Sequence, residues 1–181
     1  MSELQSFKNQ FLISLPTLAG DYFHSTISLL IEHNEQGAFG LVINQPLDIE
    51  ITNIFPQLDG RYICPVLEGG PVERERVFFL HPGGTEFDST LSLSDEICLT
   101  TSPDIITAMK SATAPENTLA CLGYAGWSAG QLEDEIARDV WLLAPASASI
   151  LFDEPYETRA SLAAQQLGID LNLINPHPGH D

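Results

Sequence analysis

The pentapeptide Gly126-Trp127-Ser128-Ala129-Gly130 matches G-x-S-x-G. In this pattern a sharp strand-to-helix turn exposes a serine hydroxyl for nucleophilic attack. Asp139 or Asp153, followed by His177 or His180, lie downstream of Ser128 and would supply an orienting carboxylate and a base in the required chain order. Three observations oppose that chemistry. Ser128 and Gln131 form S-x-x-Q, a capping box in which the hydroxyl accepts a backbone N–H of the first turn and the carboxamide bonds back. Glu133 and Glu135 suit the positive end of the helix dipole, while Leu132 and Ile136 give the helix an apolar face. Both histidines sit in the tail Asn175-Pro176-His177-Pro178-Gly179-His180-Asp181, which suits fraying from about residue 175 better than holding an imidazole against a nucleophile. The hairpins upstream also differ from the parallel sheet of a serine hydrolase. Ser128 is therefore a candidate nucleophile only as an alternative, and the leading expectation assigns no catalytic residue.

Other reactive groups are scattered. His24, His33 and His81 fall in separate segments without H-x-x-x-H or H-E-x-x-H spacing, so no metal site is expected. Cys64, Cys98 and Cys121 are odd in number, far apart and flanked by apolar residues, which reads as buried free thiols of a reducing compartment. Glu68-Gly69-Gly70-Pro71 and His81-Pro82-Gly83-Gly84 are glycine-rich loops at strand ends, where N–H groups could form an anion nest. Neither continues into the Lys and Ser/Thr of a phosphate loop, and G-x-G-x-x-G is absent, so tight turns are the expected role and no cofactor is implied. Trp127 and Trp141 flank the helix placed after Ser128, where burial in the core is the simplest role.

Charge narrows the partners. The 181 residues include 25 acidic and 7 basic side chains, a formal net charge of −18. Such a chain is repelled by a phosphate backbone, and the one basic cluster, Arg61, Arg74 and Arg76, is interleaved with Glu73 and Glu75. Direct nucleic-acid binding is disfavoured. No apolar run approaches the roughly 20 residues of a membrane-spanning helix. The N-terminus lacks the pattern of a secretory signal, so a cytoplasmic location is expected.

These groups must be positioned by a core, and 44% hydrophobic residues suffice for a single domain over residues 1–181. Ile27 to His33 and Ala38 to Asn44 read as strands of a hairpin closed by Asn34-Glu35-Gln36-Gly37. Ile51, Ile54 and Phe55 give a short helix before Pro56. Pro65 to Leu67 and Val77 to His81 are further strands, and Thr90 to Leu93 with Ile97 to Thr101 makes a second hairpin. Ser102-Pro103 opens a helix with Ser as the cap and Ile105, Ile106 and Met109 facing inward. Leu119 to Tyr124 and Val140 to Leu143 are strands, and a last helix runs from about Pro155 to Leu167 with Gly168 as its stop. Hairpins in the first half and alternating helices and strands in the second specify an α+β fold with a mixed, mostly antiparallel, strongly curved sheet.

Phe11-Leu12-Ile13, Asp21-Tyr22-Phe23-His24-Ser25, Gly37-Ala38-Phe39-Gly40-Leu41-Val42-Ile43-Asn44, Gly69-Gly70-Pro71-Val72, Leu80-His81-Pro82 and Gly123-Tyr124-Ala125-Gly126-Trp127, running on to Gly130-Gln131-Leu132-Glu133, together resemble the AlgH/YqgE family of bacterial proteins. The resemblance implies a bifurcated, partly barrel-like sheet surrounded by helices. It also implies the family's label of transcriptional regulator, without a recognised DNA-binding motif, so that regulation would pass through another protein. Related sequences place other residues at Ser128, and Gln45 stands where the family often has Arg. The retained loops point to Gly69, Gly70, Trp127, Gln131 and Glu133 as a binding surface. The reading is thus a non-enzymatic binding or regulatory-accessory protein, with a small serine hydrolase or a direct DNA-binding regulator as alternatives.

Overall fold

A computed structural model describes residues 6–15, 25–58 and 63–171. His24, Arg61, the motif residues Asp21 to Phe23, and the tail with His177 and His180 lie outside the described residues. The chain divides into two compact units, one formed by residues 1–40 with 126–181 and the other by Leu41–Ala125.

In the first unit β1 (Gln10–Ser14) lies antiparallel between β2 (Ile27–Asn34) and β9 (Trp141–Pro145). Phe11, Leu12 and Ile13 are fully buried, as are Ile27, Leu29 and Leu30, because unbroken apolar runs let a strand face protein on both sides. The turn from β2 to β3 (Gly37–Val42) follows from its residues. Asn34 Oδ1 accepts the Gln36 N–H at 2.7 Å, and Gly37 adopts φ +138°. A Cβ on Gly37 would stand 2.3 Å from the Trp127 carbonyl oxygen, so glycine is required there for space as well as for conformation. Among the described residues this unit also holds the helices α3 (Gln131–Ala137), α4 (Ala148–Asp153) and α5 (Arg159–Gln165), the last preceded by a 3-10 turn at Tyr156–Thr158. Helix α5 packs on β1 and β9 through Ala160, Ala163 and Ala164, small side chains that allow close approach.

In the second unit β5 (Val72–His81) is antiparallel to β7 (Cys98–Thr100) and to β8 (Leu119–Ser128), which continues into the first unit. The edge strand β6 (Thr90–Ser92) pairs with β7, and β4 (Val66–Glu68) pairs in parallel with β8. Helix α1 (Ile51–Ile54) and helix α2 (Asp104–Lys110) bury Ile51, Ile105, Ile106 and Met109 in one cluster with Val66, Phe79 and Ala120. Val72 pairs with Tyr124 and Val77 with Leu122, so five steps along β5 accompany two along β8. The extra residues form a bulge that includes Glu73 at φ +48° and bends the sheet.

The fold is α+β with a mixed, mostly antiparallel sheet, as hairpins and alternation implied. Several boundaries differ from the sequence reading. Strand β5 begins at Val72 instead of Val77, because the charged run Glu73 to Arg76 sits exposed on the bulge. Strand β8 runs on to Ser128, and the following helix starts at Gln131. The final helix is shorter than Pro155 to Leu167 and is split by its 3-10 turn, while Gly168 at φ +77° ends it. Ser102 does not cap α2. Its hydroxyl donates to the Asp104 carboxylate at 2.5 Å, and Pro103 holds the cap position.

Candidate functional site

The end of β8 is set by three residues with different tasks. Trp127 points inward and is buried, Ser128 ends the strand on the surface, and Gly130 turns the chain through φ +79° into α3. Nothing would obstruct a Cβ at Gly130, so its glycine answers to backbone conformation alone. The Gln131 side chain folds back, and its Oε1 accepts the Ser128 backbone N–H at 3.0 Å and the Ser128 hydroxyl at 3.3 Å. Half of the expected capping box is therefore present. The other half is corrected, because the hydroxyl donates to Gln131 and no side chain caps α3.

Gln131 also donates through Nε2 to Glu135 Oε2 at 2.9 Å. The other carboxylate oxygen of Glu135 accepts the indole N–H of Trp127 at 3.0 Å and of Trp141 at 2.8 Å. The two indoles meet edge to face, with centroids 6.0 Å apart. Burial pushes the Glu135 carboxyl up, but the hydrogen bonds from Trp141, Gln131 and Trp127 outweigh it and hold it below the ordinary glutamate value. Glu135 and Trp141 were not among the sequence-derived site residues. The signal available was the i, i+4 spacing of Gln131 and Glu135, which puts both on one helix face.

Glu133, two residues from both Gln131 and Glu135 and so turned off that face, reaches His33 on β2. The Phe7 backbone N–H donates to His33 Nδ1 at 2.9 Å, which places the ring proton on Nε2, and Nε2 donates to Glu133 Oε2 at 3.1 Å. Phe7 stacks on the imidazole at 5.1 Å. Both nitrogens are occupied, so the pair joins three segments and offers no free lone pair. His81 is enclosed in the second unit. Its Nδ1–H donates to the Pro82 carbonyl at 2.9 Å, and Nε2 accepts from Thr100 at 2.7 Å. Thr90 donates on to Thr100 at 2.8 Å and accepts the Phe87 N–H at 2.7 Å. Burial lowers the His81 pKa, against the opposing effect of the Pro82 carbonyl. Among the described residues no three His, Cys, Asp or Glu side chains could share a metal ion.

Gly69 and Gly70 belong to the second unit and are buried. The Gly69 N–H donates to the Leu122 carbonyl at 2.7 Å, and the Gly69 carbonyl accepts from Val42 at 2.8 Å, so its N–H cannot serve the anion nest that the sequence allowed. A Cβ at Gly69 would meet the Gly123 carbonyl oxygen at 2.4 Å, and one at Gly70 the Tyr124 carbonyl carbon at 2.1 Å. Gly83 is equally confined, 2.0 Å from the Asp95 carbonyl oxygen by the same measure. With Trp127 also buried, Gln131 and Glu133 alone of the five surface candidates present side-chain atoms outward.

Arg74 pairs with Glu68 at 2.8 Å, and Arg76 lies 4.0 Å from Glu73 and over the Phe78 ring. These pairs balance Arg74 and Arg76 locally. Gln45 is exposed, and its carbonyl holds the Glu68 N–H at 2.8 Å. The three cysteines are buried thiols, and burial pushes the Cys64 thiol up to about 12. No helix among the described residues is long and apolar enough to cross a membrane.

The family described as AlgH-like matches residues 11–172. The UPF0301 protein AlgH of Pseudomonas aeruginosa is 44% identical over 180 residues, covering 96% of this chain and 95% of the relative. A UPF0301 protein of Hahella chejuensis is 42% identical over 182 residues, covering 99% and 98%. The solution structure of P. aeruginosa AlgH aligns with a TM-score of 0.77 at 42% identity, over 100% of this chain and 99% of that one. A crystal structure of protein DIP2367 from Corynebacterium diphtheriae gives 0.75 at 19% identity over 96% and 94% of the two chains, a likeness of fold.

Proposed function

We propose that this chain, which belongs to the AlgH-like family, is a non-enzymatic cytoplasmic binding or regulatory-accessory protein that acts through another protein. One observation carries the reading: the polar side chains of the segment from Trp127 to Glu135 are tied to one another and to neighbouring strands, as a rigid presenting element requires. Ser128 bonds to Gln131, Gln131 to Glu135, Glu135 to two indoles, and Glu133 to His33. The Ser128 hydroxyl donates to a carboxamide oxygen, which is too weak a base to take its proton. A net charge of −18 supports a protein partner over nucleic acid.

The serine-hydrolase alternative rests on the exposure of Ser128 at a strand end. Two measurements separate the readings. A fluorophosphonate probe is expected to leave Ser128 unlabelled, and Ser128→Ala is expected to leave partner capture unchanged. Glu133→Gln keeps an acceptor for His33 Nε2–H while removing the outward charge, so it is expected to weaken capture several-fold at unchanged thermal stability. Stoichiometric labelling of Ser128, or a saturable turnover abolished by Ser128→Ala, would replace the binding reading with the hydrolase.

A further inference from the structure

The strand register of the second unit gathers a line of polar side chains. Thr90 on β6 stands opposite Thr100 on β7, and Thr100 stands opposite Phe79 on β5, two residues before His81. Residues that oppose each other or lie two apart share a sheet face, so both hydroxyls and the imidazole are on one side. The line runs inward, because Thr90 is half-buried whereas Thr100 and His81 are 0% exposed.

The direction of every hydrogen bond along it is fixed from the inner end. A carbonyl only accepts, so the 2.9 Å contact with Pro82 puts the ring proton on Nδ1 and leaves a lone pair on Nε2. Nε2 accepts the Thr100 O–H at 2.7 Å, and the Thr100 oxygen accepts the Thr90 O–H at 2.8 Å. The Phe87 N–H reaches Thr90 Oγ1 at 2.7 Å, which leaves that oxygen one lone pair and favours negative charge on it. The Phe87 ring stands edge-on to the imidazole at 5.6 Å. With His81 sealed in this way, a proton reaches it through the two hydroxyls. Burial lowers the imidazole pKa, which keeps the ring unprotonated at neutral pH. Ser128 faces a carboxamide, whereas Thr90 is in line with a free imidazole nitrogen whose ring a third group orients.

We propose that Thr90 is a covalent modification site that accepts an acyl group from an activated ester or thioester, with Thr100 and His81 as its proton relay. The bond from Thr90 Oγ1 to the acyl carbon forms, and the bond from that carbon to the leaving oxygen or sulfur breaks. The Thr90 proton moves to Thr100 as the Thr100 proton moves to His81 Nε2, and each hydrogen bond reverses, so no two donors oppose each other. The proton then returns from the ring through Thr100 to the departing group, which leaves as an alcohol or thiol and restores the neutral imidazole. An acyl carbon suits a site formed by two hydroxyls, an imidazole and one amide N–H, since phosphoryl transfer calls for cations that these groups do not supply. The inference goes beyond the binding reading, adds one stoichiometric mark in the second unit, and does not involve Ser128.

The probe is p-nitrophenyl acetate with the full chain, followed by nitrophenolate release and by peptide mapping of the ester. An acetyl ester at Thr90 is expected, retained in Thr90→Ser and absent from Thr90→Val. Thr100→Val and His81→Gln cut the relay and should slow acetylation of Thr90 about tenfold or more, while Thr100→Ser should keep it. A solvent deuterium isotope effect on the wild-type rate, lost in Thr100→Val, separates proton transfer from mere packing. The proposal is overturned by the absence of an ester at Thr90, by an equal rate at Thr90 in guanidinium, or by an unchanged rate in Thr100→Val or His81→Gln. Should those two variants fail to fold, the wild type decides alone, because acetylation of Thr90 without an isotope effect also overturns the relay. An ester at Ser128 in place of Thr90 would refute it as well and favour the hydrolase reading instead.

Discussion

His81 gives the clearest quantitative test of the buried polar network. Its side chain is fully enclosed, with Nδ1–H on the Pro82 carbonyl and Nε2 accepting from Thr100. Protonating Nε2 would set two donors against each other at Thr100 and bury a charge opposite a hydroxyl, so the folded pKa lies below the ordinary value of 6.5. In the unfolded chain the ring titrates near 6.5. Between those two values the unfolded state binds the extra proton, so stability is complete above pH 6.5 and falls as pH drops toward the folded value. If the folded ring stays neutral throughout, lowering the pH from 7.5 to 5.5 costs at most about 1.4 kcal/mol, one tenfold change in the unfolding constant. At a urea slope of roughly 1–3 kcal/mol/M this is a midpoint shift of about 0.5–1.4 M. The assay compares urea midpoints of the wild type and His81→Gln at fixed ionic strength. Gln cannot titrate, so any constant penalty of the substitution cancels from the pH dependence, as does the response of every other group. Parallel midpoints for the two proteins across this range, or His81 ring resonances titrating at or above pH 6.5, would refute the argument.

Trp127 and Trp141 are the two tryptophans of the chain, so intrinsic fluorescence reports on the Glu135 hub alone. Glu135→Ala should red-shift emission and, by orphaning the indole N–H of buried Trp127, destabilise the fold by about 1–3 kcal/mol. Glu135→Gln, which keeps an acceptor, should stay nearer to the wild type, and unchanged emission and stability in the alanine variant would show that the hub contributes nothing. For the cysteines, a chromogenic disulfide reagent at pH 8 should find almost no reactive thiol in the native protein and three after unfolding in guanidinium. Rapid native reaction at Cys64, whose thiol burial raises to about 12, would contradict its placement.

The sequence disclosed the elements whose periodicity was local. The β2–β3 hairpin announced itself through Asn34 and Gly37, and α2 through Ile105, Ile106 and Met109. Strand β1 went unread because Phe11-Leu12-Ile13 is uniformly apolar, a pattern that declares burial on both faces but no period. Helix α4 went unread although Ser147 caps it by accepting the Ile150 N–H at 3.3 Å, a signal that six helical residues are too few to reinforce. The start of β5 was hidden by Glu73-Arg74-Glu75-Arg76, since a charged run reads as a loop unless a bulge is known to turn it outward. At the site, sequence correctly coupled Ser128 to Gln131. It could not foresee that Trp127, Trp141 and Glu135 converge, because that contact depends on where β9 lies against α3.

The same distinction decides how the G-x-S-x-G pattern should be weighed. Spacing guarantees only that a serine stands at a strand end before a helix, and the structure honours that geometry, with Gly130 supplying the left-handed turn. Nucleophilic catalysis asks further for a neighbour whose proton affinity rises to meet the hydroxyl as it reacts. The group that Ser128 meets is a carboxamide, and the carboxylate beyond it, Glu135, accepts three hydrogen bonds that lower its proton affinity. The chain of contacts from Ser128 to the indoles therefore grows less basic than an isolated glutamate would be. Those same contacts join β8, α3 and β9 through side chains, which is what a stiff presenting surface needs and a proton relay does not.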